Sequence, residues 1–160
     1  MTHYFLFYFI IFFPGSSFAN QQNKTASLTC EQIQMLQNED IKDCFIGTWK
    51  LLSNIKKDGD VITYPYGEDA VGYITYDSMG YMSVQMMQQN RKTPIPGYFA
   101  YFGRYEIDPK INVVHHYLDG SLSPTEVGTD RQRSYQFIGN QLHLRPVEES
   151  NREVIWEKIN

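Results

Sequence analysis

The residues that follow Phe45 alternate in polarity with a period of two. In "GTWKLLSNIK", Trp49 and Leu51 fall on the same side as Ser53 and Ile55, while the intervening residues fall on the other side. Side chains of a β-strand point alternately to its two faces, so this pattern predicts a strand with one better-buried face. The same period continues almost to residue 158, and it constrains the fold more than any other feature of the chain.

Turn-forming residues interrupt the alternation at short intervals. Asp58-Gly59 is a strong hairpin signal, and "DSMG", "DPK", "GN" and "ESN" follow it along the chain. These intervals predict strands near residues 48–56, 60–64, 71–77, 80–87, 99–107, 111–118, 130–138, 141–145 and 152–158. We therefore expect an all-β fold, a single up-and-down antiparallel β-barrel of eight to nine strands.

The composition agrees with this fold class and limits the function. A chain of 160 residues with 12 Tyr, 10 Phe and 11 Gly suits one domain built of strands and turns. The formal net charge is -4, and the sequence has no run of basic residues. Because binding to a phosphate backbone needs clustered positive charge, we expect no nucleic acid partner.

Residues 1–19 are predicted to be a secretory signal peptide that is cleaved after Ala19. Tyr4 to Phe13 form an apolar run, Pro14 and Gly15 end it, and small residues lead to the cleavage point. The run is shorter than the ~20 residues that span a bilayer, so no integral membrane segment is expected after its removal. A membrane-inserted or buried N-terminal helix is the alternative. The prediction makes the protein exported, either periplasmic or secreted.

Residues 20–44 are predicted to form a linker and a short helix. Cys30 and Cys44 are the only cysteines, and in an exported protein an even pair favours a disulfide. Thr29 and Gln32 have the spacing of a capping box, which predicts a helix near residues 30–37. We expect this segment to close one end of a barrel formed by residues 45–158.

Several separated blocks of the sequence resemble the lipocalin-like domain family, a group within the calycin-type barrels. They occur in the family's order as "GTWKLLS", "YPYGEDAVGYITYDSMGYMSVQM", "YFGRYEID", "VVHHYLDGS", "VGTDRQRSYQF" and "VIWEK". The resemblance covers about residues 45–158 and implies an up-and-down barrel with an internal cavity. It implies little about chemistry, since many members have no assigned activity. Glu126 stands where members often have an aromatic residue, and one extra residue lies around 118–120.

The resemblance also implies a structural role for one tryptophan. In barrels of this type, the Trp of Gly-x-Trp points inward near the closed end, and an arginine from a late strand lies across it. Trp49 matches this tryptophan, and Arg131 or Arg133 could supply the cation. Trp156 is likewise assigned a structural role.

His115 and His116 are neighbours on a predicted strand, so only one of them can face the cavity. His116 would share the more apolar face, with Val114 and Leu118. An inward imidazole is either a core residue bonded to a nearby Tyr or Glu, or a ligand anchor or proton carrier. No metal site is expected, because His143 is the only other histidine after the signal peptide and zinc needs three or four protein ligands.

Arg104 and Glu106 lie two residues apart and therefore share one face of a strand. Facing solvent or the rim, which we favour, they would be an ordinary ion pair. If Arg104 faced the cavity, its positive charge could bind an anionic ligand. The candidate ligand-binding residues are Tyr73, Tyr81, Met86, Tyr101, Arg104, Tyr105, His116 and Arg133.

Three functions are compatible with these residues. The one we favour is an exported barrel that binds a small apolar or amphipathic molecule in its cavity, without a cofactor. The alternative is a cofactor-free enzyme of the isomerase or cyclase type, in which an inward His, Tyr or Arg handles protons. A strongly shifted pKa of an inward histidine would favour this alternative. The third is a packed barrel that acts as a structural or interaction module. The oligomeric state stays open.

Overall fold

The computed structural model describes residues 28–90, 92 and 97–159. Within this part, nine antiparallel strands follow one another in one sheet, which closes when the first strand pairs with the last. Eight strands form the closed barrel, and β2 (Val61–Thr63) is added beside one end of β1 (Gly47–Asp58). The predicted all-β barrel is confirmed. The predicted signal peptide and its cleavage site lie outside the described residues.

Each strand predicted from the alternation is present. The bounds are β1 Gly47–Asp58, β2 Val61–Thr63, β3 Val71–Tyr76, β4 Tyr81–Met87, β5 Tyr98–Asp108, β6 Val113–Ser121, β7 Asp130–Ile138, β8 Gln141–Pro146 and β9 Arg152–Lys158. Helix α1 spans Cys30–Met35 and carries the predicted capping box, in which Thr29 and Gln32 bond to each other's backbone. A second helix, α2 over Ile41–Phe45, and a short 3-10 turn over Pro124–Glu126 were not predicted.

One face of β1 differs from the prediction. Trp49 and Leu51 point inward as expected, but the pairing of β1 with β9 shifts register between Leu51 and Ser53. This β-bulge moves the inward position by one residue, so that Asn54 is buried in place of Ser53. The predicted alternation was therefore wrong beyond Leu51.

A second bulge lies between β5 and β6. Gly103 pairs with Leu118 while Phe102 pairs with Gly120, which leaves Asp119 without a partner of its own. This is the stretch where the resemblance implied one extra residue. The bulge brings the two backbones very close, because a Cβ placed on Gly103 would lie 1.9 Å from the carbonyl oxygen of Tyr117.

The two helices close one end of the barrel. Phe45, at the end of α2, packs edge-on against three rings, those of Tyr76, Tyr135 and Phe137. Its carbonyl oxygen accepts a 2.8 Å hydrogen bond from the indole of Trp49. Aromatic rings therefore fill the closed half of the interior.

A disulfide between Cys30 and Cys44 joins the two helices, as predicted. It holds α1 against the last part of β7, which pairs with β8 on one side but has no strand on the other, because the pairing of β6 with β7 stops at Ser134. The amide of Gln34 accepts from the backbone of Phe137 at 2.8 Å and donates to the carbonyl of Tyr135 at 2.9 Å. Two side-chain bonds thus replace strand pairing along this edge.

No helix of the described residues is long and apolar enough to cross a membrane.

Candidate functional site

The open half of the barrel holds an internal cavity of about 60 Å³. Seven apolar side chains and one tyrosine line it, together with five charged side chains. The lining residues are Ile74, Val84, Met86, Phe99, Tyr101, Arg131, Arg133, Pro146, Glu148, Glu149, Arg152, Val154 and Trp156. The interior is thus packed at the helix-closed end and incompletely filled at the other.

His116 lies in the middle of the barrel between two tyrosines. Its side chain is 0% exposed, and Nε2 is 2.9 Å from the hydroxyl of Tyr76 while Nδ1 is 2.8 Å from the hydroxyl of Tyr101. The register of β6 explains the position, because His116 pairs with Tyr105 on β5 and Arg131 on β7. The three polar groups form a buried hydrogen-bonded chain that runs from the sealed interior to the cavity wall.

Burial and nearby cations keep this imidazole neutral. Burial lowers the pKa of His116 well below its ordinary value, and the charges of Arg133, Arg131 and His115 lower it further. Burial also raises the pKa of Tyr76 and of Tyr101, although the two arginines oppose the rise at Tyr101. The chain therefore consists of neutral hydroxyls and a neutral imidazole around pH 7.

Arginines and glutamates are paired around the mouth. Arg131 makes an ion pair with Glu126, and its guanidinium lies 5.6 Å from the ring centre of Phe99 and 5.8 Å from that of Tyr101. Glu126 also accepts from the hydroxyl of Ser121 at 2.9 Å. Glu126 therefore holds an arginine over the rings of the cavity wall.

The side chain of Arg133 is only 9% exposed, and its Nη1 donates to the carbonyl of Gln132 at 2.8 Å. Its carboxylate partner, Glu148, is 3.4 Å away and 64% exposed. A buried guanidinium thus has a solvent-exposed partner at long range, which compensates its charge only weakly.

Asn54 connects another arginine to the cavity wall. Its Nδ2 donates to the sulfur of Met86 at 3.2 Å, and its Oδ1 accepts from Nε of Arg152 at 3.2 Å. Arg152 also lies 3.8 Å from Glu149 and 5.7 Å from the ring centre of Tyr66. The inward position of Asn54, produced by the bulge in β1, therefore anchors one side of the mouth.

Five of the eight predicted ligand-binding residues point into the barrel. Met86, Tyr101 and Arg133 line the cavity itself. His116 lies behind Tyr101, where it bonds to that side chain. Tyr105 is buried nearer the closed end and donates to the carbonyl of Asp77 at 2.7 Å.

The other three, Tyr73, Tyr81 and Arg104, lie on the outer face of the barrel. Tyr73 is 44% exposed and Tyr81 is 53% exposed, because the inward residues next to them are Ile74 and Met82. Arg104 pairs with Tyr81 across β4 and β5 and shares its outward direction. Strand parity turns Tyr73 and Tyr81 away from the cavity, contrary to their prediction as ligand-binding residues, whereas Arg104 faces outward as the sequence analysis favoured.

Trp49 and Trp156 are both buried, but the predicted cation does not lie over Trp49. Arg131 and Arg133 belong to the part of β7 that pairs with β6 near the mouth, whereas Trp49 lies near the closed end. The ammonium group of Lys158 lies over the Trp49 ring instead, 5.0 Å from its centre. Trp156 differs from the expectation in another way, because it lines the cavity.

The outward histidine has an ordinary surface environment. Nδ1 of His115 is 2.9 Å from a carboxylate oxygen of Asp130, and the imidazole stacks on Tyr117. His143 similarly lies 2.9 Å from a carboxylate oxygen of Glu153. Among the described residues, no three His, Cys, Asp or Glu side chains come together as a set of metal ligands.

Sequence reasoning missed several side chains of the site. Phe99, Arg152 and Glu148 line the cavity, and Tyr76 completes the chain through His116. Phe99 lies two residues before Tyr101, and Tyr76 lies two residues after the buried Ile74, so each shares a strand face with an inward residue. Knowing which face of β5 and of β3 points inward would have identified both. Nothing in the linear pattern indicates that Arg152 would turn toward Asn54.

A wider hollow of about 560 Å³ lies outside the barrel between α1 and β7. Asn112 and Tyr135 line it, and each has a buried polar oxygen with no hydrogen-bond partner among the described residues. No residue of the predicted site contributes to this groove. The internal cavity is therefore the better candidate, because it combines the predicted residues with the buried polar chain.

Comparison with known proteins agrees with the architecture. The family model for the lipocalin-like domain matches residues 46–159. A search of curated proteins found no match to the chain. The matched region contains all nine strands and both sides of the cavity. The chain belongs to the lipocalin-like domain family.

Proposed function

We propose that the protein is an exported binding barrel that holds a small amphipathic molecule in the open half of its interior. The observation that carries the proposal is the cavity itself, a gap in an otherwise packed barrel that apolar and charged side chains line together. Protein interiors are close-packed, so a gap lined by a few polar groups is the usual form of a ligand site.

The size of the cavity limits the ligand. Pockets for drug-sized molecules measure roughly 300 to 1,000 Å³, and the cavity here is about 60 Å³. A molecule of a few heavy atoms fits within it, and a longer one must extend through the mouth. The apolar part of the ligand would contact Met86, Val84 and Val154, while its polar part would meet Tyr101 and Arg133.

The disulfide supports export. Cys30 and Cys44 are bonded, and such bonds persist mainly in oxidising compartments outside the cytoplasm. The predicted signal peptide leads to the same proposal. Cleavage after Ala19 would be checked by N-terminal sequencing of the protein recovered from outside the cytoplasm.

An enzyme of the isomerase or cyclase type is the second candidate. One specific observation favours it, the buried His116 with its strongly lowered pKa, bonded to a tyrosine that reaches the cavity. Tyr101 could donate a proton to a bound molecule and regain one through His116. Burial alone also accounts for the lowered pKa, so binding without turnover stays the first proposal.

Binding can be tested by methionine-methyl NMR. Met86 lines the cavity, whereas Met79 is exposed on a turn between β3 and β4. We expect a panel of small acids, alcohols and ketones to shift the Met86 methyl signal saturably and to leave the Met79 signal in place. Native mass spectrometry of the purified protein would identify any compound already bound, and recovery of that compound unchanged would separate binding from turnover.

Two neighbouring residues of β9 provide matched variants. Val154 lines the cavity and Ile155 belongs to the opposite face of the same strand. Val154→Phe should fill the cavity and abolish binding, and Ile155→Phe should leave binding unchanged. The smaller change Val154→Met would serve if Val154→Phe lowers stability too far. Unchanged binding in a folded, filled variant would show that the ligand lies elsewhere.

A further inference from the structure

The buried chain has one more donor hydrogen than it has hydrogen-bonded contacts. Tyr76 and Tyr101 each carry one hydroxyl hydrogen, and the neutral imidazole of His116 carries one more. Only two contacts, at 2.9 and 2.8 Å, join the three groups. Each contact uses one hydrogen, so one hydrogen is left over at an end of the chain whichever tautomer the imidazole adopts.

The two ends of the chain differ in their surroundings. The Tyr76 hydroxyl lies in the sealed interior, where His116 is its only hydrogen-bond partner among the described residues. The Tyr101 side chain lines the cavity. Because a buried donor without an acceptor is costly, Tyr76 donates to Nε2 and Nδ1–H donates to Tyr101. The hydroxyl hydrogen of Tyr101 is then free for an acceptor in the cavity.

Trp156 also lines the cavity and carries a second free donor. Its side chain is 1% exposed, yet its indole N–H has no acceptor among the residues that the structure describes. An indole can only donate, and a buried indole N–H normally has a partner. Trp49 shows the usual arrangement, since its N–H donates to the carbonyl of Phe45 at 2.8 Å.

Arg133 adds positive charge beside these two donors. It lines the cavity, its side chain is nearly buried, and its exposed carboxylate partner is 3.4 Å away. A guanidinium carries five N–H donors in a planar fork that suits a carboxylate. Glu148 and Glu149 also line the mouth, so a bound anion would have to take the place of Glu148 as the partner of Arg133.

From these three donors we infer that the cavity takes a small carboxylate, whose oxygens accept from Tyr101, Trp156 and Arg133 while its short apolar chain lies against Met86 and Val84. The inference rests on the proposed function and names the class of ligand that the cavity binds. It also predicts which ligands fail, because an amine of the same shape brings only further donors and a like charge.

The two indole N–H signals of the ¹⁵N-labelled protein provide a direct test. Hexanoate and hexylamine are titrated in parallel, since they share a carbon chain of similar length and differ in the polar group. Hexanoate should move the Trp156 indole signal downfield saturably and leave the Trp49 signal unchanged, because only the Trp156 N–H lacks an acceptor. We expect hexanoate to bind at least about tenfold more tightly than hexylamine.

Two conservative variants identify the donors. Tyr101→Phe and Trp156→Phe each remove one donor and keep an aromatic ring, and each should weaken hexanoate about tenfold. Tyr73→Phe, on the outer face, is the matched control. If one of the two variants fails to fold, the other and the wild-type indole shift still decide the question.

The possible results separate the two proposals. Hexylamine binding as tightly as hexanoate, or hexanoate binding without a shift of the Trp156 signal, would overturn the carboxylate assignment and leave the binding barrel standing. If neither compound nor any member of the small-molecule panel moves the Met86 methyl, the proposed function fails and the carboxylate assignment fails with it.

Discussion

The hydroxyl of Tyr101 lies 2.8 Å from Nδ1 of His116, and this contact connects the cavity wall to a fully buried imidazole. Replacing Tyr101 with Phe leaves one imidazole nitrogen buried and unpaired. We expect a loss of about 1 to 3 kcal/mol in the free energy of unfolding, measured by urea denaturation. Tyr73→Phe on the outer face should change it by less than about 0.5 kcal/mol. Equal effects of the two variants would contradict a structural role for the contact.

Stability should fall as the pH drops through the range where an exposed histidine titrates. In the unfolded chain His116 takes up a proton near pH ~6.5, whereas in the folded protein its pKa lies well below that value. Above pH ~6.5 neither state is protonated, so His116 adds no pH dependence there. Below it, the free energy of unfolding decreases by about 1.4 kcal/mol per pH unit until the folded pKa is reached.

Urea unfolding of the wild type and of His116→Gln at several pH values between about 7.5 and 5 isolates this contribution. The variant should be less stable at pH 7.5 and should show a shallower decline. A hydrogen bond from Lys56 lowers the pKa of Glu149, so that carboxylate contributes only below the range of this measurement, at about pH 4.5 and lower. Parallel slopes for the two proteins would rule out His116 as the source.

Gly103 should be the least replaceable glycine of the barrel. A methyl group there meets the carbonyl oxygen of Tyr117, and backbone atoms of a paired strand cannot move aside as a side chain would. We expect Gly103→Ala to cost about 3 kcal/mol or more, or to prevent folding. Gly59→Ala meets no atom within 4 Å and is strained only by its φ of +59°, so it should cost about 1 kcal/mol. Thermal unfolding of both variants makes the comparison.

The disulfide should contribute measurably to stability. It closes a separation of 14 residues, for which chain entropy gives about 3 kcal/mol. Replacing Cys30 and Cys44 with Ser should lower the free energy of unfolding by roughly this amount. Reductant should lower the stability of the wild type to the same level and leave that of the double variant unchanged. A wild type insensitive to full reduction would contradict this assignment.

The sequence alone was sufficient for the number and order of the strands, because their period of two and the turn residues between them are local properties. It was insufficient to tell which face of each strand points into the barrel. β3 and β4 carry large side chains on both faces, Tyr73 beside Ile74 and Tyr81 beside Met82, so composition does not distinguish inside from outside.

The site was only partly predictable for the same reason. The face of a strand that points inward depends on its register with its neighbours. The bulge that buries Asn54 arises from pairing with β9, about a hundred residues along the chain. Met86, Tyr101 and His116 were identified because their strands alternate clearly. The chain through Tyr76 and the free indole of Trp156 depend on side-chain geometry between distant strands, which no linear pattern contains.

The amide of Gln34 occupies the place that a backbone amide of a neighbouring strand would take along β7. Its presence there depends on helix α1, and the helix is tied down by the bond between Cys30 and Cys44. Before that bond forms, the same length of β7 offers unpaired donors and acceptors to any extended chain, including a second copy of the protein. We therefore expect a chain that is oxidised late to aggregate more than one that is oxidised promptly.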